Sequence, residues 1–213
     1  MIRHHPDDAL WLAFAAGTLG AGHRLLLEVH VEGCAHCRQR LQRLDALGGV
    51  LLGELPPAAL PADALERTLA AIDAPQAQAE APHGAKPKLP VPWPRAMAQC
   101  EVSRWHWMGP GMYWNRVTLP DEPDANVFML CIGAKRMLPR HTHSHNELTQ
   151  VLYGAFNDGR ADFAAGDFDE TDGDIRHQPV VGPEGQCICL ASVEGQVLFD
   201  GWLARTMASL IGM

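Results

Sequence analysis

A histidine-rich stretch in the second half of the chain carries residue types that bind transition metals. Residues 140–154 read RHTHSHNELTQVLYG, in which His141, His143, His145 and Glu147 fall at every second position. Imidazole nitrogens and carboxylate oxygens are ligands for zinc, iron, manganese and nickel. On one regular strand the four side chains would share a face but span about 20 Å, which is too far for one ion. The chain must therefore turn within this stretch.

The tripeptide Ser-His-Asn at 144–146 supplies turn-prone residues for that turn. With the turn here, His141 and His143 converge from the preceding strand, and Glu147 returns on the following one. His145 then lies at the tip and points away from the ion, although a role beside the metal stays open for it. A solvent-exposed histidine-rich loop without metal is the competing interpretation.

The same spacing resembles the first sequence motif of the cupin family, HxHx3–4Ex6G, with Gly154 as the final glycine. The resemblance implies one more histidine ligand from a neighbouring strand. The segment 162–179, DFAAGDFDETDGDIRHQP, offers His177, with a hairpin turn at Gly166 and Asp167. The tripeptide that is usually Pro-x-Gly in the second cupin motif reads Ala-Ala-Gly here, which is a departure. The predicted metal ligands are His141, His143, Glu147 and His177.

A second group of metal-ligand residues lies near the N-terminus, where residues 30–37 read HVEGCAHC. A Cys-x-x-Cys turn lets the thiolates of Cys34 and Cys37 converge on one ion, and His30 can reach the same point. Tetrahedral zinc needs a fourth ligand, and His5 is the preferred residue. The competitors for this position are His4, His23 and His36. The alternatives are a redox pair, which usually follows a strand in a βαβ unit, and two ordinary core cysteines.

The elements around these groups differ between the two halves of the chain. The first 74 residues have apolar residues at helical spacing, whereas NVFMLCIG, LTQVLYGAF and CICLASV in the second half are short apolar or alternating runs typical of strands. We expect four helices: one from Pro6 to the glycines at 20 and 22, one at 23–32, one through Cys37 to a break at Gly48-Gly49, and one from Pro61.

Residues 75–95 contain six prolines in 21 positions. Proline removes a backbone donor and restricts the residue before it, so this segment predicts a semi-rigid linker. We therefore expect a two-domain α plus all-β protein. It comprises a zinc-bound bundle of about four helices at 1–74, a Pro-rich linker at 75–95, and a cupin β-sandwich or jelly roll at 96–213.

Two further sets of residues lie in the predicted strands. Cys187 and Cys189 share a strand face and are interpreted as buried small hydrophobic residues, because ordinary strand geometry does not bring same-strand thiols together comfortably. A redox role is the alternative. Trp105, Trp107 and Trp114 are assigned to the core or rim of the barrel.

Charge and hydropathy exclude several classes of partner. The chain has 17 basic and 25 acidic residues and a net charge of −8, and neither half has the basic face that direct DNA binding needs. Because no run of about 18 apolar residues occurs, we expect no membrane span. The first 20 residues make a poor signal peptide, so a cytoplasmic location is expected.

The helical half resembles the zinc-binding anti-sigma domain, and the segments IRHHPDDALWLAFAAGTL and CAHCRQRLQRLDALGG are similar to the ChrR-type anti-sigma factors. The resemblance implies that His5, His30, Cys34 and Cys37 bind Zn2+. It also implies that the helices inhibit an extracytoplasmic-function sigma factor. A C-terminal cupin that holds Zn2+ or another divalent transition metal would sense an oxidative signal such as singlet oxygen and trigger release. We expect a regulator and no enzyme; a metal-dependent cupin dioxygenase or isomerase with an accessory zinc domain is the alternative, followed by a zinc-stabilised adaptor.

Overall fold

Four α-helices lie in the first part of the chain, in agreement with the prediction. The structure is a computed structural model that describes residues 1–74 and 85–200. The Asp7 side chain accepts a hydrogen bond from the Leu10 amide at 2.7 Å and so caps the first helix. The helices are α1 (Asp8–Ala15), α2 (Ala21–Gly33), α3 (Ala35–Gly53) and α4 (Ala64–Asp73).

The predicted helix break at Gly48-Gly49 is wrong, because α3 continues through both glycines to Gly53. Glycine costs about 1 kcal/mol relative to alanine in a helix interior. It keeps its backbone N–H, however, so the hydrogen-bond ladder is not interrupted as it would be by proline. A pair of glycines therefore weakens this helix without ending it. No helix in residues 1–74 and 85–200 combines the length and the hydropathy needed to cross a membrane.

All strands of the described chain lie after residue 100, and their pairings are antiparallel. The strands are β1 (Glu101–Val102), β2 (His106–Gly109), β3 (Met112–Thr118), β4 (Val127–Ile132), β5 (His141–His143), β6 (Glu147–Tyr153), β7 (Ala155–Asn157), β8 (Asp162–Ala164), β9 (Phe168–Thr171), β10 (Val180–Val181), β11 (Cys187–Val193) and β12 (Val197–Phe199). A seven-stranded sheet has the order β1-β3-β4-β11-β6-β9, with β2 on β3, and sheets of three strands (β10-β7-β8) and two strands (β12-β5) accompany it. The three runs predicted as strands form β4, β6 with β7, and β11.

The large sheet has two different faces. One face packs against α1 and α2, so that helix residues such as Trp11 and Leu26 share a hydrophobic core with strand residues such as Leu148 and Leu190. The opposite face lines an apolar cavity. Along β6 and β11, side chains therefore point alternately toward the helices and toward the cavity, as the two-residue period of a strand requires. The predicted α plus all-β architecture is confirmed, and the two parts pack on each other directly.

The contact between α2 and the sheet is close. A side chain at Gly22 would place its Cβ 2.5 Å from Ser192 Oγ and 2.9 Å from Val127 Cγ2. One residue further on, His23 Nδ1 forms a 2.9 Å hydrogen bond with Ser192 Oγ. The small residue at position 22 thus allows the helix to approach the strands closely.

Residues before α1 lie along β9. The backbone amides of Arg3 and His4 donate to Asp167 Oδ1 at 2.6 and 3.0 Å, and the Phe168 amide donates to the His4 carbonyl at 3.1 Å. The Asp7 amide donates to Glu170 Oε1 at 2.7 Å. These bonds hold the N-terminal segment against the strand part of the chain.

The described end of the predicted linker also contacts the helices. Glu32 of α2 accepts hydrogen bonds from the amides of Arg95 and Ala96, and the Trp93 indole donates to the Pro87 carbonyl at 3.2 Å. Residues 75–84 of the linker lie outside the described residues. The domain boundaries near 74 and 96 stay a prediction.

Candidate metal centres

The first candidate centre is formed at the junction of α2 and α3. His30 lies in the last turn of α2, and Cys37 lies in the first turn of α3. Cys34 stands between the two helices in an extended conformation (φ −108°, ψ 105°), where it ends one helix and begins the next. His5 reaches the same point from the segment before α1. The structure brings one ligand atom of each of these four residues to within 4.8 Å of the others.

The geometry of this group suits a tetrahedral ion. His5 Nδ1 lies 3.4 Å from Cys34 Sγ and 3.4 Å from Cys37 Sγ. Zinc bonds of about 2.0–2.3 Å at tetrahedral angles place neighbouring ligand atoms roughly 3.3–3.8 Å apart. In addition, His30 Nε2 is buried and has no hydrogen-bond partner in the described chain. A buried nitrogen without a partner is costly unless a cation binds it.

The pKa shifts of this group also fit a metal site. Burial lowers the pKa of His30 to about 4, and burial together with His36 lowers the pKa of His5. Both rings are therefore neutral at physiological pH, which is the form that binds metals. Burial, followed by the hydrogen bond with Cys34, raises the pKa of the Cys37 thiol to about 12. Without a cation this thiol keeps its proton.

The three competing histidines are not members of this group. His4 packs on Phe163, with ring centroids 4.6 Å apart. His23 is hydrogen-bonded to Ser192, and His36 is exposed beside His5, with ring centroids 4.8 Å apart. Among the four candidates, the structure places His5 in the group, while its role as a ligand stays a proposal.

The second candidate centre is formed by β5, the start of β6 and the loop before β10. His143 Nε2 lies 2.6 Å from Glu147 Oε2 and 3.4 Å from His177 Nε2, and His177 Nε2 lies 3.0 Å from His141 Nε2. His177 is held beside His141 by two backbone hydrogen bonds between these residues. All four side chains are buried. The structure thus brings the four predicted residues together.

Hydrogen bonds orient the groups of this second centre. His141 Nδ1 lies 2.8 Å from the Pro139 carbonyl, so it carries the proton and Nε2 is free to bind a metal. Burial lowers the pKa of His141, and it lowers the pKa of His177 to about 4. Burial alone would raise the pKa of Glu147, but the hydrogen bond with His143 and the neighbouring imidazoles lower it to about 2. The centre therefore offers three imidazole rings and one carboxylate.

The predicted turn between the two strands is present. Residues 144–146 separate β5 from β6, and His145 is exposed there, with Nδ1 3.1 Å from Ser144 Oγ. Gly154 ends β6 with φ +75°, and a Cβ at this position would lie 2.2 Å from the Gln186 carbonyl oxygen. Both the backbone conformation and the close approach require glycine at that position of the motif.

The second centre opens into an apolar cavity of about 170 Å³. Cys187 and Cys189 form part of its wall and are buried, as predicted. Their Sγ atoms lie 3.6 Å apart, closer than the ordinary strand geometry assumed from the sequence. The pairing of β11 with β6 shifts register between Ile188 and Cys189. Of the three tryptophans assigned to the core or rim, Trp107 is exposed and Trp105 and Trp114 are partly buried.

Charged residues that the sequence motifs do not identify surround His177. Asp158 Oδ2 lies 3.8 Å from His177 Nδ1. Arg160 bridges Asp158 and Asp169, with Nη2 2.5 Å from Asp158 Oδ2 and 2.7 Å from Asp169 Oδ1. Burial raises the pKa of Asp169 to about 7. The acidic composition of 158–174 is visible in the sequence, but its contact with the centre depends on the pairing of the strands.

The fold and its two candidate centres define a class of protein: a helical part packed on a β-sandwich, each with a buried group of residues that could hold a metal ion. The family model for the ChrR cupin-like domain matches residues 94–197. The anti-sigma-E factor ChrR of Cereibacter sphaeroides is 37% identical over 206 residues, covering 96% of this chain and 95% of that protein. A chain in the crystal structure of Rhodobacter sphaeroides SigE in complex with the anti-sigma ChrR is 35% identical, with a TM-score of 0.75, covering 91% of this chain and all of that chain.

The chain belongs to the ChrR family of anti-sigma factors. The predicted resemblance is thereby confirmed, as is the prediction of a regulatory protein in place of an enzyme.

Proposed function

We propose that this chain binds and inhibits an extracytoplasmic-function sigma factor through its helical part. The crystal structure of a relative contains a sigma factor and an anti-sigma factor in one complex. The same kind of partner for this chain is the simplest inference from similarity along almost the entire length. The resulting complex would keep the sigma factor from acting in transcription.

The observation that carries the proposal is an apolar surface on α3 and α4. Leu65, Leu69 and Ile72 follow one face of α4 and are 72%, 52% and 67% exposed. Leu47 and Leu51, four residues apart on α3, are also more than half exposed. No residue of α4 is buried by the described part of the chain. Apolar surface of this kind marks a protein interaction site.

The N-terminal metal centre supports that surface. We propose that His5, His30, Cys34 and Cys37 hold Zn2+, which would tie the segment before α1 to the junction of α2 and α3. When bound, the ion would act as a structural link and would supply no reaction. Since α3 begins at this centre and carries part of the apolar surface, its direction depends on the ligands.

The cupin centre is proposed as the sensor. His141, His143, Glu147 and His177 would hold Zn2+ or another divalent transition metal beside the apolar cavity. The thiols of Cys187 and Cys189 and the thioethers of Met108 and Met112 lie in the cavity wall. Sulfur side chains are readily oxidised, so the cavity offers targets for an oxidative, singlet-oxygen-like signal that triggers release.

The binding proposal is tested with Leu69→Asp in the full chain. A charge in the centre of the apolar face should weaken binding of the sigma factor by at least about tenfold, or roughly 1.4 kcal/mol. Ala71→Asp is the matched control, because this exposed residue lies on the other side of α4 and receives the same charge. Titration of each variant with a sigma factor from the same organism measures the effect. Equal binding by Leu69→Asp and the unchanged protein would refute this surface as the interface.

The separate roles of the two centres are tested with ligand variants. Replacement of Cys34 and Cys37 by serine should abolish binding of the sigma factor. His141→Ala or His177→Ala should preserve binding but reduce release after exposure to singlet oxygen, measured as the fraction of sigma factor that dissociates. If the histidine variants fail to bind at all, the division into a binding part and a sensing part is wrong.

A further inference from the structure

Gln150 is a buried polar residue that connects the strand part of the chain with the first metal centre. It lies on β6, three residues after Glu147, and is 3% exposed. Because successive side chains alternate along a strand, the side chains of Glu147 and Gln150 point to opposite faces of the sheet. Glu147 lies at the cavity, whereas Gln150 Oε1 lies 2.9 Å from His30 Nδ1 of α2.

The orientation of the Gln150 amide is determined by two carbonyl groups. Its Nε2 donates to the Val151 carbonyl at 3.1 Å and to the Asp167 carbonyl at 3.3 Å. Both of these partners accept hydrogen bonds and cannot donate. The nitrogen of the amide must therefore face them, and the oxygen must face His30.

This orientation determines the tautomer of His30. An amide oxygen only accepts, so His30 Nδ1 carries the proton and donates it to Gln150. A neutral imidazole carries one ring proton in total. The lone pair of Nε2 is consequently free, and Nε2 is the buried atom without a hydrogen-bond partner among the described residues.

We propose that Gln150 is a positioning residue for the N-terminal metal centre and acts through His30. The proposal rests on the metal role proposed for His5, His30, Cys34 and Cys37. Metal-bound histidines generally donate their second ring N–H to a partner that fixes the ring and its tautomer. Here the partner comes from a strand more than a hundred residues away, and the same strand carries a ligand of the second centre.

The amide of Gln150 holds the Nδ1 proton of His30 at a fixed point. If this amide were removed, the buried proton would lose its acceptor at 2.9 Å. The ring would then rotate or adopt the other tautomer, and either change takes the Nε2 lone pair away from the two thiolates. The metal would lose affinity although all four ligand residues are still present.

The experiment compares Gln150→Met with the unchanged full chain. Methionine has nearly the same length as glutamine but no amide oxygen. Cobalt is used as the probe, because its thiolate charge-transfer absorption reports the centre that contains Cys34 and Cys37. Competition with a chelator of known affinity should give a dissociation constant 10–100-fold higher for Gln150→Met, the usual effect of losing such a partner.

Two further variants separate positioning from a general loss of structure. Gln150→Glu should bind cobalt with less than about a tenfold change. Its buried carboxyl stays protonated opposite the two carbonyls, and it still offers an oxygen to His30. Ser192→Ala removes a similar buried bond between α2 and the sheet, the one with His23, without touching a proposed ligand. It should leave cobalt affinity unchanged even if the melting temperature falls.

The results separate the role of Gln150 from the existence of the metal centre. Unchanged cobalt affinity in Gln150→Met, or an equal loss in Ser192→Ala, would overturn the role of Gln150 but not the metal centre. Absence of the thiolate band in the unchanged protein would refute the centre and the role of Gln150 with it.

Discussion

Glu147 combines a buried position with a negative charge. Desolvation would raise the pKa of its carboxyl group, yet the hydrogen bond with His143 and the surrounding imidazoles lower this pKa to about 2. The group is therefore ionised throughout the physiological range. An ionised carboxylate beside three imidazole rings is a donor set that favours a divalent transition-metal cation.

Replacement of this carboxylate tests the second centre. In Glu147→Gln the side chain keeps its shape but loses its charge and becomes a weaker ligand. We expect metal affinity at this centre to fall by more than about tenfold, since loss of a partner that only orients a ligand already costs 10–100-fold. Metal analysis of the dialysed protein should therefore find one ion per chain in place of two.

His145→Ala is the matched control, because His145 is in the same sequence cluster but exposed at the turn. This variant should keep both ions. Loss of an ion from His145→Ala would show that the turn histidine is a ligand, contrary to the spacing argument.

Spacing in the sequence was sufficient to predict three residues of each group, because each group contains a short motif whose local geometry brings these members together. It did not single out His5, which was one of four candidates, or His177, which the resemblance to the cupin family implied. His30, Cys34 and Cys37 need only a helix junction, and His141, His143 and Glu147 need only a turn. Gln150 and Asp158 could not be found in this way. Their roles depend on contacts with residues far along the chain, and a single glutamine or aspartate has no distinguishing pattern.

At the scale of elements, α2 is the helix that connects the first candidate centre with the large sheet. It ends at the first metal centre, and it packs on β6 and β11 through the close approach at Gly22. The sequence predicted the helix, but not the face that meets the sheet. The break predicted at Gly48-Gly49 was wrong for a similar reason. The helix propensity of the two glycines does not reveal how strongly their neighbours support the helix.

A pair of glycine variants tests this packing. Glycine to alanine in a helix interior normally stabilises by about 0.5–1 kcal/mol, and Gly48→Ala should do so because a Cβ there meets nothing within 4 Å. Gly22→Ala should instead destabilise by about 1–3 kcal/mol, because its Cβ would overlap Ser192 and Val127. Urea unfolding of both variants measures the two signs. A stabilised Gly22→Ala would contradict the close packing of α2.

At the scale of the whole molecule, the helices and the sheet share one hydrophobic core. Composition predicted two kinds of structure separated by a proline-rich segment. It could not predict that the two would pack together, because the contacts join side chains such as Trp11 and Leu190 that are distant in sequence. The two parts are therefore joined by packed side chains as well as by the chain itself.

The shared core predicts a single cooperative unfolding transition for the full chain. Circular dichroism at 222 nm, which is dominated by the helices, should give the same melting temperature as the near-ultraviolet signal, to which the tryptophans of the strand part contribute. Removal of metal with a chelator should lower both midpoints together, since a ligand that binds only the folded state stabilises it. Two separate transitions would show that the parts unfold independently.

The attachment of the first residues to β9 has a consequence for the order in which the protein is made. His5 is synthesised well before the strand that holds its segment, because Asp167 follows Arg3 by 164 positions. During translation the junction of α2 and α3 can offer His30, Cys34 and Cys37 before His5 has a fixed place. Of the four proposed ligands, the first to be synthesised is therefore the last to be fixed in place, and the candidate centre of the helical part is complete only after the cupin strands have been made.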